Sequence, residues 1–339
     1  MRFVADEATS TQNRPLAVRL ASSYDAETLA REVAALAGTE HGQPGPFATL
    51  GWDGIALVQG DGRADDARSP RPSVGGAQPT AALARCPYLT EALGALPAPL
   101  LCARLLYLEP GGTVGAHRDP IGPPVGVVRL HIPIVTHDEV RFFLGGERLR
   151  WSPGELWYGD FAFAHWLENP SPITRVHLVL DSTLSDGLLA LFPEPLRAPL
   201  CAGGAYLHAP PVGLAAAGLD RIAAHRLYMP AAALPGVLSD MTLDVHPEGD
   251  ALFALGRRDD GSEQRVVFDP VGERCLTIRG YFPGVTIEYA LDDDGAARAA
   301  TLVHRGRQAL PAGASNDDER APLTLSEARF DLPIDAAHG

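Results

Sequence analysis

The chain has 339 residues, of which 46% are hydrophobic and 21% charged, with a formal net charge of −14. This predicts a globular protein of two domains or one large one, and the acidic balance excludes nucleic acid as an expected partner because no basic run offsets it. The sequence contains no lysine, which excludes Schiff-base chemistry, pyridoxal-phosphate enzymes and P-loop nucleotide binding.

The N-terminal part predicts helices and one long loop. Its first residues lack the apolar core of a signal peptide, no stretch has the roughly 18 apolar residues of a membrane span, and the cysteines lack CxxC spacing. We therefore expect a cytoplasmic protein without membrane contact. Helices are predicted over residues 25–37 and around 90–96. Residues 58–80 are polar and rich in Gly, Pro and Asp, and predict a loop that is either an active-site lid or a surface insertion.

From residue 100 to 180 the pattern changes to short strands punctuated by Gly and Pro, including LCARLLYL, VGVVRLHIPIV, ELWYGD and TRVHLVLD. Such a density of strands predicts an antiparallel barrel or sandwich. A helical stretch is predicted near 213–226, followed by a second group of strands such as QRVVFDP, CLTIRG and GVTIEYAL. The prediction is thus a mainly β protein with flanking helices.

The domain organisation follows from these patterns. We expect a first domain at residues 1–200 and a smaller β-rich domain of unknown role at 205–310. The polar run SNDDERAP predicts a weakly ordered tail over 311–339.

His117 and Asp119 are the residues that first suggest a chemistry. They are two positions apart, so on an extended strand their side chains project from the same face. Two histidines and one carboxylate form the facial triad that binds Fe(II) and leaves coordination positions open for a co-substrate and O₂. His165, in the same strand-rich region, is the expected third ligand. The HxD spacing alone is weak evidence.

Arg175 follows His165 by ten residues and lies in an alternating strand. An inward-pointing arginine requires an anionic partner, and a dicarboxylate co-substrate supplies one that a guanidinium can bind through two hydrogen bonds. Arg129 and His131 share one strand face and are candidates to line the same cavity, although a structural salt bridge is the competing interpretation.

These motifs together resemble the aspartyl/asparaginyl β-hydroxylase family, which includes bacterial proline hydroxylases. The resemblance rests on RLLYLEPGGTVGAHRDP, RLHIPI and GELWYGDFAFAHWLENPSPITRVHLVLD, and it spans about residues 25–183. It implies a double-stranded β-helix fold of the jelly-roll or cupin type. It also implies a dioxygenase that couples hydroxylation to the conversion of 2-oxoglutarate into succinate and CO₂.

The resemblance also implies roles for individual residues. The implied Fe(II) ligands are the triad His117, Asp119 and His165, and the implied contacts of the 2-oxoglutarate co-substrate are Arg175, Arg129, His131 and, as a pocket wall, Trp52.

The family's pattern is matched at one informative position and broken at another. The animal branch lacks the carboxylate ligand, so Asp119 makes the chain more similar to the bacterial amino-acid hydroxylases. Where the animal enzymes carry a serine that contacts 2-oxoglutarate, this chain has Leu106, so that contact is absent or replaced.

The expected substrate is a small amino-acid-type molecule, most similar to proline, with O₂ as the second reactant. Arg104 and Arg118 are candidate partners for its carboxylate. The alternatives are hydroxylation of a peptidyl or carrier-bound residue, a 2-oxoglutarate-independent or non-catalytic cupin-like metal module, and a hydrolytic zinc enzyme. Product mass would distinguish a free from a peptidyl or carrier-bound substrate. Succinate formation would exclude the 2-oxoglutarate-independent module, iron titration would test the non-catalytic one, and O₂-independent turnover would indicate the zinc enzyme.

Overall fold

The protein is mainly β and contains two large antiparallel sheets, of ten and nine strands, and a two-stranded pair. No helix in the described part of the chain has the length and apolar character needed to cross a membrane. The computed structural model describes residues 2–4, 14–42, 48–60, 62–65, 67, 76–233, 240–257, 263–310, 313–315 and 317–336.

The first region of the chain contains the ten-stranded sheet and four α-helices. Its strands are β1 (Arg2–Val4), β2 (Ala17–Ser23), β3 (Ala48–Gln59), β4 (Gln78–Pro79), β5 (Leu100–His117), β6 (Val127–Val135), β7 (Arg141–Leu144), β8 (Glu147–Leu149), β9 (Glu155–Gly159), β10 (His165–Glu168), β11 (Arg175–Thr183) and β12 (Ala205–Leu207). Its helices are α1 (Ala26–Ala34), α2 (Pro87–Gly94), α3 (Asp186–Ala190) and α4 (Glu194–Leu200), with 3₁₀ turns at Leu83–Arg85 and Pro123–Val125.

Strand β5 organises the first sheet because it belongs to both of its halves. The order is β2-β9-β6-β11-β5-β10-β7-β8, with β3 also paired to β5. The first part of β5 pairs with β11 and its end pairs with β10. Between these parts the chain runs through Pro110 and Gly111, and Gly111 has a φ of +76°, which favours glycine. The sheet therefore bends over itself at β5, and the jelly-roll fold expected from the sequence is confirmed.

Strand β11 explains how a polar site comes to lie inside this fold. Every residue from Arg175 to Thr183 is buried. Val176, Leu178 and Leu180 face the apolar core beneath the helices. Because side chains alternate along a strand, the residues between them face the barrel interior. A second apolar cluster, which includes Phe142, Trp151 and Phe161, lines that interior.

The second region forms an antiparallel sheet whose apolar core extends from Leu214 to Leu332. Its strand order is β20-β19-β18-β17-β16-β15-β14-β13-β21. The chain passes through Pro333 directly from one edge strand to the other, so the sheet is nearly closed. The strands are β13 (His225–Met229), β14 (Met241–Glu248), β15 (Ala251–Arg257), β16 (Glu263–Gly272), β17 (Cys275–Ile278), β18 (Val285–Leu291), β19 (Ala297–Ala309), β20 (Thr324–Leu332) and β21 (Ile334–Ala336), with a 3₁₀ turn at Ala231–Ala233.

Two local predictions are wrong. The tail expected at 311–339 instead supplies β20 and β21, because apolar residues recur after the polar run and Leu332 is buried in the second core. The helix expected near 213–226 is a series of turns, since Gly213 and Gly218 have φ values of +81° and +67°. Within the predicted loop at 58–80, β3 pairs with β4, whereas residues 61, 66 and 68–75 lie outside the described residues.

Candidate metal centre and co-substrate pocket

The three predicted metal ligands meet at one end of the barrel, which we call the metal end. His117 closes β5 and His165 opens β10, and the two are directly opposite each other in the antiparallel register. The Asp119 amide is fixed by donating to the Phe161 carbonyl at 2.8 Å. One ligand atom from each of the three side chains lies within 4.8 Å of the other two.

Both histidines are oriented by backbone carbonyls. His117 Nδ1 lies 2.8 Å from the Gly115 carbonyl oxygen, and His165 Nδ1 lies 3.1 Å from that of Phe163. A carbonyl only accepts hydrogen bonds, so each Nδ1 carries the proton and each Nε2 keeps its lone pair. Burial lowers the pKa of His165 to about 3, partly offset by Asp119. The His165 ring is therefore neutral, as a metal ligand must be.

Asp119 is held by an ionic network that the sequence did not reveal. Arg129 donates through Nη1 to Asp119 and, through Nε at 2.7 Å and Nη2 at 2.9 Å, to both oxygens of Asp181. Arg104 Nη2 binds Asp181 at 2.8 Å. Burial raises the pKa of Asp119, but Arg129 and the two histidines outweigh burial and lower it. In this network the buried Asp181 and the partly buried Asp119 are matched by two guanidinium groups, and the carboxylate ligand is ionised.

A donor set of two imidazoles and one carboxylate fits Fe(II), since this set is typical of non-haem iron oxygenases. The carboxylate is held through one oxygen by Arg129, which keeps its orientation fixed. The residues present at the metal end are thus chemically suited to the iron that the sequence predicted.

Arg175 occupies the other end of the candidate site, which we call the clamp end. Its side chain is 4% exposed, and Nη2 donates to His177 Nδ1 at 2.8 Å. Its Nε has no hydrogen-bond partner among the described residues. Burial lowers the pKa of Arg175 to about 9. A buried guanidinium without a carboxylate is costly, so the clamp end is suited to an anionic ligand.

His131 and Phe161 lie between the two ends. The Phe161 ring is 4.9 Å from that of His165 and also 4.9 Å from that of His131, measured between ring centroids. Neither ring nitrogen of His131 has a partner among the described residues, although the side chain is buried. Burial, followed by the charge of Arg175, lowers the pKa of His131 well below its usual value. A neutral, unpaired imidazole here can donate to a bound carboxylate.

A cavity of about 360 Å³ opens at the clamp end. This volume lies near the lower end of the range for small-molecule sites. The side chains that line it include Phe142, Trp151, Ser152, Arg175 and His177.

The remaining predicted residues are distributed as follows. Trp52 is partly buried and packs against the apolar cluster inside the barrel. Leu106 faces His177 across the register of β5 and β11, so His177 is the polar group next to the serine position of the animal enzymes. Arg104 is bound to Asp181, and Arg118 donates to backbone carbonyls of the second region.

Asp181 and Phe161 are the residues of this site that sequence reasoning missed. Asp181 shares a strand face with Arg175 and His177, separated by even numbers of residues, and this period was available as a signal. Its direct cross-strand partner is Arg129, which only the register determines. Phe161 lies in the turn before β10 and carries no comparable signal.

Comparison with known proteins bears on the family. Residues 23–183, just under half of the chain, match the family model of aspartyl/asparaginyl β-hydroxylases. This match confirms the resemblance found in the sequence, and it indicates an Fe(II)- and 2-oxoglutarate-dependent oxygenase. The match ends at the last residue of β11 and does not include the second sheet.

Solved structures similar to this chain match it at low identity and low TM-score. An oxidoreductase of the 2OG-Fe(II) oxygenase family from Burkholderia pseudomallei is 15% identical, with 47% of this chain and 80% of that one covered and a TM-score of 0.32. A non-haem α-ketoglutarate-dependent epimerase of nogalamycin biosynthesis is 15% identical, with 51% and 79% covered and a TM-score of 0.33. A predicted oxalate decarboxylase from Thermotoga maritima is 21% identical, with 28% and 74% covered and a TM-score of 0.21. No curated protein matches the chain.

Proposed function

We propose that this protein hydroxylates an unactivated C–H bond of an amino acid, most similar to proline, or of an amino-acid-derived metabolite. In the proposed reaction the substrate, O₂ and 2-oxoglutarate give the hydroxylated product, succinate and CO₂. The observation that carries the proposal is the pairing, inside one barrel, of a His-Asp-His cluster with a buried arginine that has no carboxylate partner among the described residues.

In this proposal each end of the site has a separate task. His117, Asp119 and His165 would hold Fe(II), which together with 2-oxoglutarate and O₂ supplies the oxidising chemistry. Arg175 would bind the far carboxylate of 2-oxoglutarate through its guanidinium. His131 would donate to the co-substrate from the middle of the barrel.

Arg129 and Trp52 would contribute less directly. Arg129 is already engaged by Asp181 and Asp119, so its main contribution would be to orient the carboxylate ligand, with the co-substrate contact as an additional role. Trp52 would contribute apolar surface that excludes water from the barrel interior. Exclusion of water strengthens the electrostatic interactions within the site.

The substrate class is supported by two features. The cavity of about 360 Å³ suits a small molecule. The presence of Asp119 is shared with the bacterial amino-acid hydroxylases that the sequence resembles. Arg104 and Arg118 have partners within the protein, so the substrate carboxylate would require a different partner. A peptidyl or carrier-bound substrate is the alternative to be tested.

Turnover assays test the proposal directly. Purified protein with Fe(II), ascorbate and 2-oxoglutarate is incubated with proline, its homologues, aspartate, lysine and arginine, and succinate and product mass are measured. A gain of 16 mass units in one amino acid, with stoichiometric succinate, supports the proposal. A gain only in peptides or carrier-bound residues would overturn the free amino-acid substrate, and absence of any 2-oxoglutarate-dependent succinate would overturn the reaction class.

A further inference from the structure

The segment at residues 317–323, which precedes strand β20 of the second sheet, lies against the metal end of the barrel. The Trp166 indole Nε1 donates to Glu319 Oε1 at 3.1 Å. The Leu323 amide donates to the Ala162 carbonyl at 2.9 Å. Both barrel residues are close in sequence to the ligand His165. This segment therefore contacts the loop and strand that carry the second histidine.

The same segment also contacts the part of the chain that carries the other two ligands. Arg118 lies between His117 and Asp119, and its side chain donates to the backbone carbonyls of Asp318 at 2.9 Å and Ala321 at 3.4 Å. Backbone and side-chain acceptors within a span of four residues thus bind the neighbours of all three ligands.

The contacts are on the outer side of the ligand-bearing strands. Side chains alternate along a strand, so Trp166 projects from the face opposite to His165. Its ring is stacked on Phe143 of β7 at 4.3 Å between centroids. The segment consequently supports the ligands from behind, and it does not occupy the barrel interior where the co-substrate would bind.

We propose that residues 317–323 form a strap that positions the metal ligands, with Glu319 and Trp166 as its main positioning residues. This inference rests on the proposed function, because it assigns the second region a role at the same metal site. The strap joins the end of β5 to the start of β10, which are otherwise connected by short cross-strand pairing that shifts register after His165. Groups hydrogen-bonded directly to a ligand typically contribute 10- to 100-fold to metal affinity, and the strap, which binds the neighbours of the ligands, is expected at the lower end of this range.

The first test measures Co(II) affinity from its visible absorption, without any requirement for turnover. Trp166→Phe keeps the stacking ring but loses the donor, and Glu319→Ala loses the acceptor. We expect each to weaken Co(II) binding about 10-fold. Glu319→Gln keeps an acceptor oxygen and should bind Co(II) like the wild type. The double variant should show no loss beyond the single variants, because both remove the same interaction.

Glu327→Ala is the matched control. Glu327 also forms ion pairs in the second region, with Arg305 and Arg329, but contacts no neighbour of a ligand. It should leave Co(II) affinity unchanged. Wild-type affinity in Trp166→Phe and Glu319→Ala, or an equal loss in Glu327→Ala, would overturn the strap.

Hydrogen exchange provides the reciprocal test, since coupling between two sites acts in both directions. Addition of Co(II) should slow exchange of the Leu323 amide but not of amides in β14 and β15. Unchanged exchange at Leu323 in a protein that binds Co(II) would overturn the strap and leave the proposed function intact. A wild-type protein that binds neither Co(II) nor Fe(II) would overturn the metal site itself.

Discussion

At the metal end of the barrel the buried charges are matched, whereas at the clamp end Arg175 is buried without a carboxylate. Asp119 and Asp181 are neutralised by Arg129 and Arg104. Among the described residues, the Arg175 side chain has its hydrogen bond with the neutral His177 and none with a carboxylate.

This difference shows which part of the site is complete before ligands arrive. A matched network orients its members and loses stability when one partner is removed. An unmatched charge destabilises the protein until an anion binds, and this cost favours the anion-bound state. The two ends should therefore respond in opposite directions when a charge is removed from each.

Asp181→Asn tests the matched end and should have the largest effect on stability. It leaves Arg104 and Arg129 buried with one carboxylate fewer, so the free energy of unfolding should fall by about 3–5 kcal/mol. Chemical denaturation measures this. The control Asp269→Asn removes one partner of the half-exposed pair with Arg279 and should cost less than about 1 kcal/mol. Equal effects of the two substitutions would contradict the network.

His165→Ala removes a proposed ligand while leaving the charge network in place. Fe(II) affinity should fall by more than about 100-fold, the upper end for groups that only orient ligands. Anaerobic titration with Fe(II) and 2-oxoglutarate, followed by the charge-transfer band, measures it. His246→Ala in the second sheet is the control and should bind normally. Normal binding by His165→Ala would refute the ligand assignment.

Arg175→Lys tests the clamp end with the charge retained. A lysine loses the planar pair of donors, so 2-oxoglutarate binding should weaken by about 1.5–3 kcal/mol with Fe(II) affinity unchanged. The concentration of 2-oxoglutarate needed for half-maximal succinate release reports this. Arg141→Lys, at an exposed ion pair with Glu168, should leave it unaltered. If the requirement does not change in Arg175→Lys, the clamp lies elsewhere, and Arg129 is the next candidate.

Arg175→Met has the smallest expected effect, but its effect on the free energy of unfolding should be opposite in sign to that of Asp181→Asn. Because it replaces an unmatched buried cation with an apolar side chain of similar length, the free energy of unfolding without ligands should rise by about 1–2 kcal/mol. Thermal unfolding with and without 2-oxoglutarate measures it, and the co-substrate should no longer stabilise the variant. A destabilised Arg175→Met protein would show that the two ends do not differ in the way described.

The sequence by itself determined the features that depend on local periodicity and residue type. The spacing of His117 and Asp119, and the alternation around Arg175, identified a strand-borne polar face before any contact was known. Strand patterns also predicted a mainly β chain with an antiparallel barrel or sandwich, and the family resemblance implied the jelly-roll fold that the structure confirms. The prediction of a weakly ordered tail was wrong. It assigned the character of the polar run to the residues that follow it, whose apolar side chains complete the second core.

Only the tertiary structure decided which distant residues meet. The pairing of Asp181 with both Arg129 and Arg104 depends on the register of three strands, and register is a property of the assembled sheet. The contact between Trp166 and Glu319 joins residues far apart in sequence, one in strand β10 and the other in the segment that precedes β20. Such contacts are selected by packing of the whole chain, because no local preference of either residue favours one partner over another.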